Sequence, residues 1–146
     1  LSTLHTNDSI GAIPRLIDLG IQPFLIASSL IGIAAQRLVR KLCACAQTVA
    51  PSEAFFSVFP EARGRISEVR IPVGCDACLK TGYHGRTGVF EILSISPVLQ
   101  NEVVRGFDEG RFKKAALDEG YKILRVHAIE KISAGETTVE EILKIL

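Results

Sequence analysis

Apolar residues near the start of the 146-residue chain recur at the spacing of an amphipathic helix. They return every three or four positions between Ile10 and Ile17, and Gly20 lies where a helix C-terminal cap belongs. A second apolar segment begins at Pro23 and continues to Leu42, turning polar only near its end. The pattern predicts one helix before Gly20 and another, apolar on most sides, from Pro23 to Leu42.

Shorter elements are predicted from Ser52 onward. Ser52 is placed to cap a short helix through Phe59, and the alternation of Val69, Ile71 and Val73 predicts a half-exposed strand. An apolar run over 88–95 predicts a further strand. Helices are predicted after that strand, beginning at Ser96-Pro97, over Glu109–Asp118, over Tyr121–Ser133, and over Thr138–Leu146 with a capping box from Thr138 to Glu141.

The composition is that of a globular protein without a strong net charge. Hydrophobic residues make up 47% and charged residues 23%, and 17 Lys and Arg face 16 Asp and Glu. This balance argues against disorder and gives no support to a strongly basic nucleic-acid binder. The longest uncharged stretch, Leu19–Gln36, is broken by glycine, glutamine, proline and serine. We therefore predict no transmembrane segment, and the start carries no secretory signal.

The chain divides into three predicted segments. Residues 1–42 begin with Leu1-Ser2-Thr3-Leu4, which resembles the end of a buried strand, and Met is absent even at position 1. These two features predict a fragment of a longer protein. Residues 43–86 contain all four cysteines and form a predicted inserted module, and residues 87–146 contain a strand followed by helices.

Two pairs of cysteines predict a metal site. Cys75 and Cys78 have the Cys-x2-Cys spacing that lets two thiolates reach one zinc ion, with Gly74 before them and Gly82 after the pair to allow a tight turn. The other pair is Cys43 and Cys45, which are one residue closer than that spacing. Four thiolates would fill the coordination sphere of zinc, so the ion would be structural. Free or partly oxidised thiols and structural disulfides are the alternatives.

Two polar segments are candidate ligand sites. Thr3, His5, Thr6 and Asn7 lie between the predicted strand and the first helix, where they could bind phosphate or cap that helix. Arg86 lies in a loop punctuated by glycines, Gly82-Tyr83-His84-Gly85-Arg86-Thr87-Gly88, and could reach a phosphate or a carboxylate. This loop is not of the G-x4-G-K-[ST] type, and the chain contains no complete catalytic site.

Four sequence blocks together resemble the ATPases of type II secretion and type IV pilus assembly. The resemblance runs along the whole chain in consistent order and matches the C-terminal half of that family. The blocks are Ser2-Thr3-Leu4-His5-Thr6-Asn7, Gly20-Ile21-Gln22-Pro23-Phe24-Leu25-Ile26-Ala27-Ser28-Ser29-Leu30, Ala35-Gln36-Arg37-Leu38-Val39-Arg40-Lys41-Leu42-Cys43 and Gly82-Tyr83-His84-Gly85-Arg86-Thr87-Gly88.

The resemblance implies an α/β fold: the C-terminal part of a RecA-like ATPase domain, an inserted zinc-type cysteine module and a terminal helical bundle. It implies that Thr3, His5, Thr6 and Asn7 form the histidine box, which lies near the phosphates of bound ATP and its Mg²⁺. Thr3 and His5 are the implied nucleotide-binding residues, and His5 is the candidate catalytic residue. Arg86 is implied as a further nucleotide or intersubunit contact. Because the Walker A and Walker B segments precede this region in the family, the chain alone is predicted to lack ATPase activity.

The resemblance also implies an oligomeric state and a cellular location. This sequence departs from the family pattern at one point. Its members are homo-hexamers at the cytoplasmic face of the bacterial inner membrane, where they meet a polytopic platform protein. Leu42-Cys43-Ala44-Cys45 is one residue shorter than the family's L-C-x-x-C pattern, which puts metal binding in question.

The residues alone also allow other functions. A zinc-stabilised module for a protein or nucleic-acid partner is the alternative, because residues 37–86 carry eight Lys and Arg against four Asp and Glu. Sparse aromatic residues weaken the nucleic-acid version, so no nucleic acid is expected. A thiol-redox protein would need an exposed cysteine of low pKa. The sequence does not separate secretion from pilus assembly or DNA uptake.

Overall fold

A computed structural model of the chain describes residues 1–6 and 8–146. Helices and strands are mixed along the chain, as predicted. Their order is α1 (Ala12–Asp18), α2 (Pro23–Ser29), β1 (Gly32–Leu42), β2 (Gln47–Val49), α3 (Glu53–Val58), β3 (Val69–Ile71), β4 (Tyr83–Ser94), α4 (Pro97–Val104), α5 (Glu109–Asp118), α6 (Leu124–Ser133) and α7 (Val139–Leu143), with short 3₁₀ turns at Pro60–Ala62 and Asp76–Cys78.

Packing divides the chain into two compact units. Leu1–Gln36 and Phe90–Ile123 form the first unit, and Arg37–Val89 and Leu124–Leu146 form the second. Apolar residues of α1, α2, β4, α4 and α5 build the core of the first unit. The second core takes its apolar residues from β1, α3, β3, β4, α6 and α7. Each unit therefore has a hydrophobic core of its own.

The largest correction to the sequence prediction concerns 32–42, which form a strand and not the second half of a helix. Helix α2 begins at Pro23 as predicted but ends at Ser29, and Leu30 adopts extended dihedral angles. Exposure along β1 then alternates residue by residue up to Val39, which is 3% exposed. Leu38, counted as part of the helical apolar face, is 50% exposed. A nearly continuous apolar run fits both the 3.6-residue period of a helix and the two-residue period of a strand. Here the pairing of this segment with β4 stabilises the strand.

The four strands form two small sheets. Strand β1 pairs with β4: Ile95 N–H donates to the Ile31 carbonyl at 3.0 Å, and Cys43 N–H donates to the Gly82 carbonyl at 2.9 Å. These bonds join opposite ends of the two strands, so the strands run antiparallel. Strands β2 and β3 are also antiparallel, with Thr48 opposite Arg70. Both sheets bring the segments that flank the cysteines together.

Most of the remaining helices agree with their predictions. Helix α5 has the predicted bounds, and Ser96 and Ser52 cap α4 and α3 by accepting backbone N–H bonds at 3.2 Å. The last helix is shorter than predicted and its capping box forms by half: Thr138 Oγ1 accepts from Glu141 N–H at 3.3 Å. The Glu141 carboxylate instead accepts bonds from the backbone and guanidinium of Arg40, at 3.0 and 2.8 Å.

The segment at the start of the chain has no helix or strand over residues 1–6, contrary to the predicted strand end. Leu1 and Leu4 are exposed, and none of the described residues pairs with this segment as a neighbouring strand. Its first buried anchor is Ser9, whose N–H and hydroxyl donate to Glu91 Oε1 at 2.8 and 2.7 Å. Ser9 also bonds the Tyr121 hydroxyl at 2.9 Å, and the helix predicted from Tyr121 begins only at Leu124.

Across the described residues, no helix has both the length and the apolar character needed to cross a membrane.

Candidate metal centre

The turn that carries Cys75 and Cys78 depends on two glycines with left-handed dihedral angles. Gly74 has φ +102°, and a Cβ there would lie 2.6 Å from the Lys80 carbonyl oxygen. Gly82 has φ +79°, and a Cβ there would lie 2.4 Å from Pro72 Cβ. Both contacts are closer than any side chain permits, so these positions require glycine. The predicted role of Gly74 and Gly82 is confirmed.

The four cysteine sulfurs lie together in the second unit. Sγ separations are 3.8 Å for Cys43 and Cys75, 4.0 Å for Cys45 and Cys78, and 3.8 Å for Cys75 and Cys78. All four sulfurs lie within 4.8 Å of one another. The cysteines are free thiols, with two buried and two half-buried. The sequence prediction that both pairs form one cluster is confirmed.

These separations fit a tetrahedral metal ion. Zinc binds thiolates at about 2.3 Å, so the sulfurs of a regular ZnS₄ tetrahedron lie about 3.8 Å apart. Three of the six Sγ separations, at 3.8 to 4.0 Å, match those edges, and all six lie within 4.8 Å. The cluster could therefore hold a metal ion such as zinc. Four thiolates leave no coordination position for water or substrate, so the chemistry of this donor set is structural.

Backbone N–H groups point at the sulfur of Cys78. The N–H of Cys75 donates to Cys78 Sγ at 3.1 Å, and the N–H of Gly82 donates to it at 3.2 Å. These bonds stabilise the thiolate, with Cys75 contributing most, and they lower the pKa of Cys78 to about 6. Cys45 differs, because burial raises the pKa of its thiol to about 11. The turn around Cys78 is thus prepared for a thiolate ligand.

The shorter spacing of Cys43 and Cys45 does not keep either sulfur out of the cluster. Cys43 directly follows β1 and donates its N–H to the Gly82 carbonyl at 2.9 Å, which fixes it beside the second turn. Ala46 N–H donates to the Cys43 carbonyl at 3.0 Å, which closes a tight turn through Cys45. A Cys-x-Cys pair at a strand end thus faces the same point as Cys75 and Cys78.

The other predicted site residues lie outside this cluster. Thr3 and His5 are exposed in the first unit, and Thr6 donates its hydroxyl to the Asp8 carbonyl at 2.9 Å. The predicted ligand residue Asn7 lies outside the described residues. Arg86 is exposed on β4 in the second unit. The roles of Thr3, His5 and Arg86 toward a nucleotide stay predictions.

A family model described as "Type II/IV secretion system protein" matches residues 1–144. The chain belongs to this family. Among curated relatives of the type II/IV secretion family, it is 40% identical over 145 residues to type II secretion system protein HxcR of Pseudomonas aeruginosa. It is 41% identical over 149 residues to type II secretion system protein E of the same bacterium. Type IV pilus assembly ATPase TfpB of Acinetobacter baylyi is 37% identical to it over 155 residues.

The alignments cover nearly all of this family member but a minor part of each relative. They span 99% of the chain and 28% of HxcR, 99% of the chain and 29% of secretion system protein E, and 100% of the chain and 26% of TfpB. The chain therefore corresponds to less than a third of the length of these relatives. The predicted resemblance to secretion and pilus-assembly ATPases is confirmed at the level of the family.

The structure also brings together side chains around the cysteines that no sequence pattern groups. Lys41, Arg70 and His84 line a common cleft with Cys43 and Glu136. They come from β1, β3, β4 and the turn after α6, so no spacing in the sequence connects them. The only sequence signal was the excess of basic residues over 37–86.

Proposed function

We propose that the chain is the C-terminal part of a hexameric cytoplasmic ATPase that powers type II protein secretion or type IV pilus assembly. The observation that carries this proposal is the family match along 1–144, together with relatives named as secretion proteins and pilus assembly ATPases. The homo-hexamer would act at the inner face of the inner membrane, against the platform protein of the apparatus. Secretion and pilus assembly are equally supported.

Within this proposal the three segments have separate tasks. Residues 1–42 complete a RecA-like core, where Thr3 and the catalytic candidate His5 face the phosphates of bound ATP and its Mg²⁺ ion. Residues 43–86 form a module stapled by zinc, and Arg86 at its end contacts nucleotide or a neighbouring subunit. Residues 87–146 contribute a strand and a helical subdomain. Support for a fixed position of the first segment comes from Ser9 and Glu91, which anchor the chain just after His5.

An ATPase assay tests the proposed activity. The chain contains no G-x4-G-K-[ST] loop, so the 146 residues alone are expected to release no phosphate from ATP. A chimera in which they replace the matching segment of Pseudomonas aeruginosa secretion system protein E should hydrolyse ATP. His5→Ala should abolish that hydrolysis, whereas Lys114→Ala, at an exposed position on α5, should retain it. Steady hydrolysis by the isolated chain, or by the His5→Ala chimera, contradicts the proposal.

Zinc binding is tested separately on the isolated chain. Protein purified without chelator is expected to contain about one zinc per chain, with thiols that react only after denaturation or chelation. Cys78→Ser should remove the metal. Four freely reactive thiols and no bound metal would show that the module is held by its apolar core alone.

A further inference from the structure

A cleft of about 580 Å³ opens beside the cysteine cluster, entirely within the second unit. Its lining includes Cys43, but the chemistry of its surface comes from other residues. Ala44, Ala77, Ala134 and Gly135 contribute surfaces without long side chains. Such a floor is apolar and lets the backbone of an extended peptide approach closely.

The charged side chains that line the cleft, apart from the cysteine thiols, are two cations and one carboxylate. The only carboxylate among the described lining residues is Glu136, and both oxygens of that group accept from Lys131 Nζ at 2.9 Å. Thr87 donates a third bond to it at 3.0 Å, and the pKa of Glu136 is lowered, chiefly by Lys131. Glu136 is thus already paired within the protein. Lys41, which is exposed, and Arg70 supply the remaining formal charges of the lining.

Arg70 is held in place before any ligand arrives. One of its terminal nitrogens donates to the Ala46 carbonyl at 3.0 Å. Its aliphatic stem lies over Gly135, where a Cβ would come within 2.4 Å of Arg70 Cδ. A guanidinium has five N–H donors, so the bond to Ala46 leaves donors for an anion. Fixing the side chain in advance reduces the entropy lost on binding.

The lining favours carboxylates over nucleotides. Within the described residues around the cleft, His84 carries the only ring, so the lining offers a single aromatic surface on which a base could stack. A lining that combines alanine surfaces with Lys41 and Arg70 suits a chain with acidic side chains. We propose that this cleft binds an acidic peptide segment of a protein partner, with Lys41 and Arg70 pairing its carboxylates.

Fluorescence anisotropy with a labelled peptide tests the proposal on the zinc-loaded 146-residue chain. The probe is an extended ten-residue peptide rich in Asp and Glu, compared with its Asn and Gln counterpart. Only the acidic peptide should bind. A higher salt concentration should lower its affinity, because the contacts are charge pairs near the surface. Lys41→Glu should raise the Kd about tenfold, since one attraction becomes a repulsion. Ala134→Glu, which puts a carboxylate in the floor, should act in the same direction.

Matched controls separate the cleft from general charge effects. Lys114→Glu makes the same charge change on exposed α5 in the first unit and should leave the Kd within about twofold. Circular dichroism and zinc content check that each variant is folded. Equal binding of both peptides, or equal losses from Lys41→Glu and Lys114→Glu, overturns the proposal. So does binding that appears only after zinc removal, because the basic residues would then serve only to balance the metal centre.

Displacement of the acidic peptide by inorganic phosphate at millimolar concentration would show a phosphate site instead, and would also overturn it. None of these outcomes depends on ATP hydrolysis. Failure of the peptide-binding proposal can therefore be distinguished from failure of the ATPase proposal.

Discussion

At the scale of single residues, two glycines with similar φ angles differ in how much space surrounds the missing Cβ. Gly82 has φ +79° and faces Pro72, whereas Gly64 has φ +77° and nothing within 4 Å of its missing Cβ. Gly64→Ala therefore pays only for the left-handed backbone, about 1 kcal/mol. Gly82→Ala adds a clash and should cost about 3 kcal/mol.

Urea denaturation of the two glycine variants measures this difference, and zinc content should fall for Gly82→Ala alone. Equal losses of stability in the two variants would mean that the close approach of Gly82 and Pro72 has no energetic consequence.

A second prediction at this scale concerns the buried carboxylate of Glu141. Bonding to the Arg40 guanidinium, aided by Lys144 and the Arg40 backbone, lowers its pKa from 4.5 to about 2. Because the folded value is the lower one, this carboxylate stabilises the protein fully above pH 4.5. That stabilisation is lost as pH falls from 4.5 towards 2. Glu141→Gln should cost about 2 kcal/mol at pH 7 and much less at pH 3.

Urea unfolding at both pH values tests the Glu141 prediction, and comparing wild type with variant at each pH cancels any effect of acid on the cysteines. Glu140→Gln, on the exposed side of α7, is the control and should change little. A cost for Glu141→Gln that does not depend on pH is the contradicting result.

At the scale of elements, strand β1 makes neighbouring apolar residues unequal. Val39 is 3% exposed in the core of the second unit, whereas Leu38 is 50% exposed. Val39→Ala should destabilise the chain by about 2 kcal/mol, and Leu38→Ala by less than about 1 kcal/mol, although Leu38→Ala deletes more atoms. Thermal or urea unfolding measures the loss of stability in each of the two variants. If Leu38→Ala proves the more costly change, the alternating burial of β1 is wrong.

Sequence reasoning succeeded where a local signal decides the structure. Ser52 and Ser96 cap their helices as predicted, because an N-cap needs only its own side chain and the next turn. It failed for β1, since its apolar run fits either period and the deciding contacts come from β4, more than 40 residues later. The cysteine cluster was predictable from spacing. Arg70 and Gly135 in the cleft were not, because only folding brings them together.

At the scale of the whole molecule, a bound zinc ion would couple metal supply to folding. Only the folded chain holds all four sulfurs within 4.8 Å, so zinc binds that state in preference to the unfolded one. Chelation should lower the melting temperature of the native protein by several degrees, and restoring zinc should reverse the change. The quadruple Cys→Ser variant is the control and should not respond to chelator. A wild-type melting curve unchanged by chelation contradicts this coupling.

The positions of Cys43 and Cys75 have a further consequence for the unfolded chain. A metal that joined the two cysteine pairs would close a loop of about thirty residues in the folded chain, whereas the unfolded chain, which does not hold the four sulfurs together, would release the ion and reopen the loop. Unlike a covalent bridge, this tie opens whenever its ion is lost. Loss of the ion would therefore loosen the two cysteine turns first, because α3 and β3 stay packed in the core of the second unit.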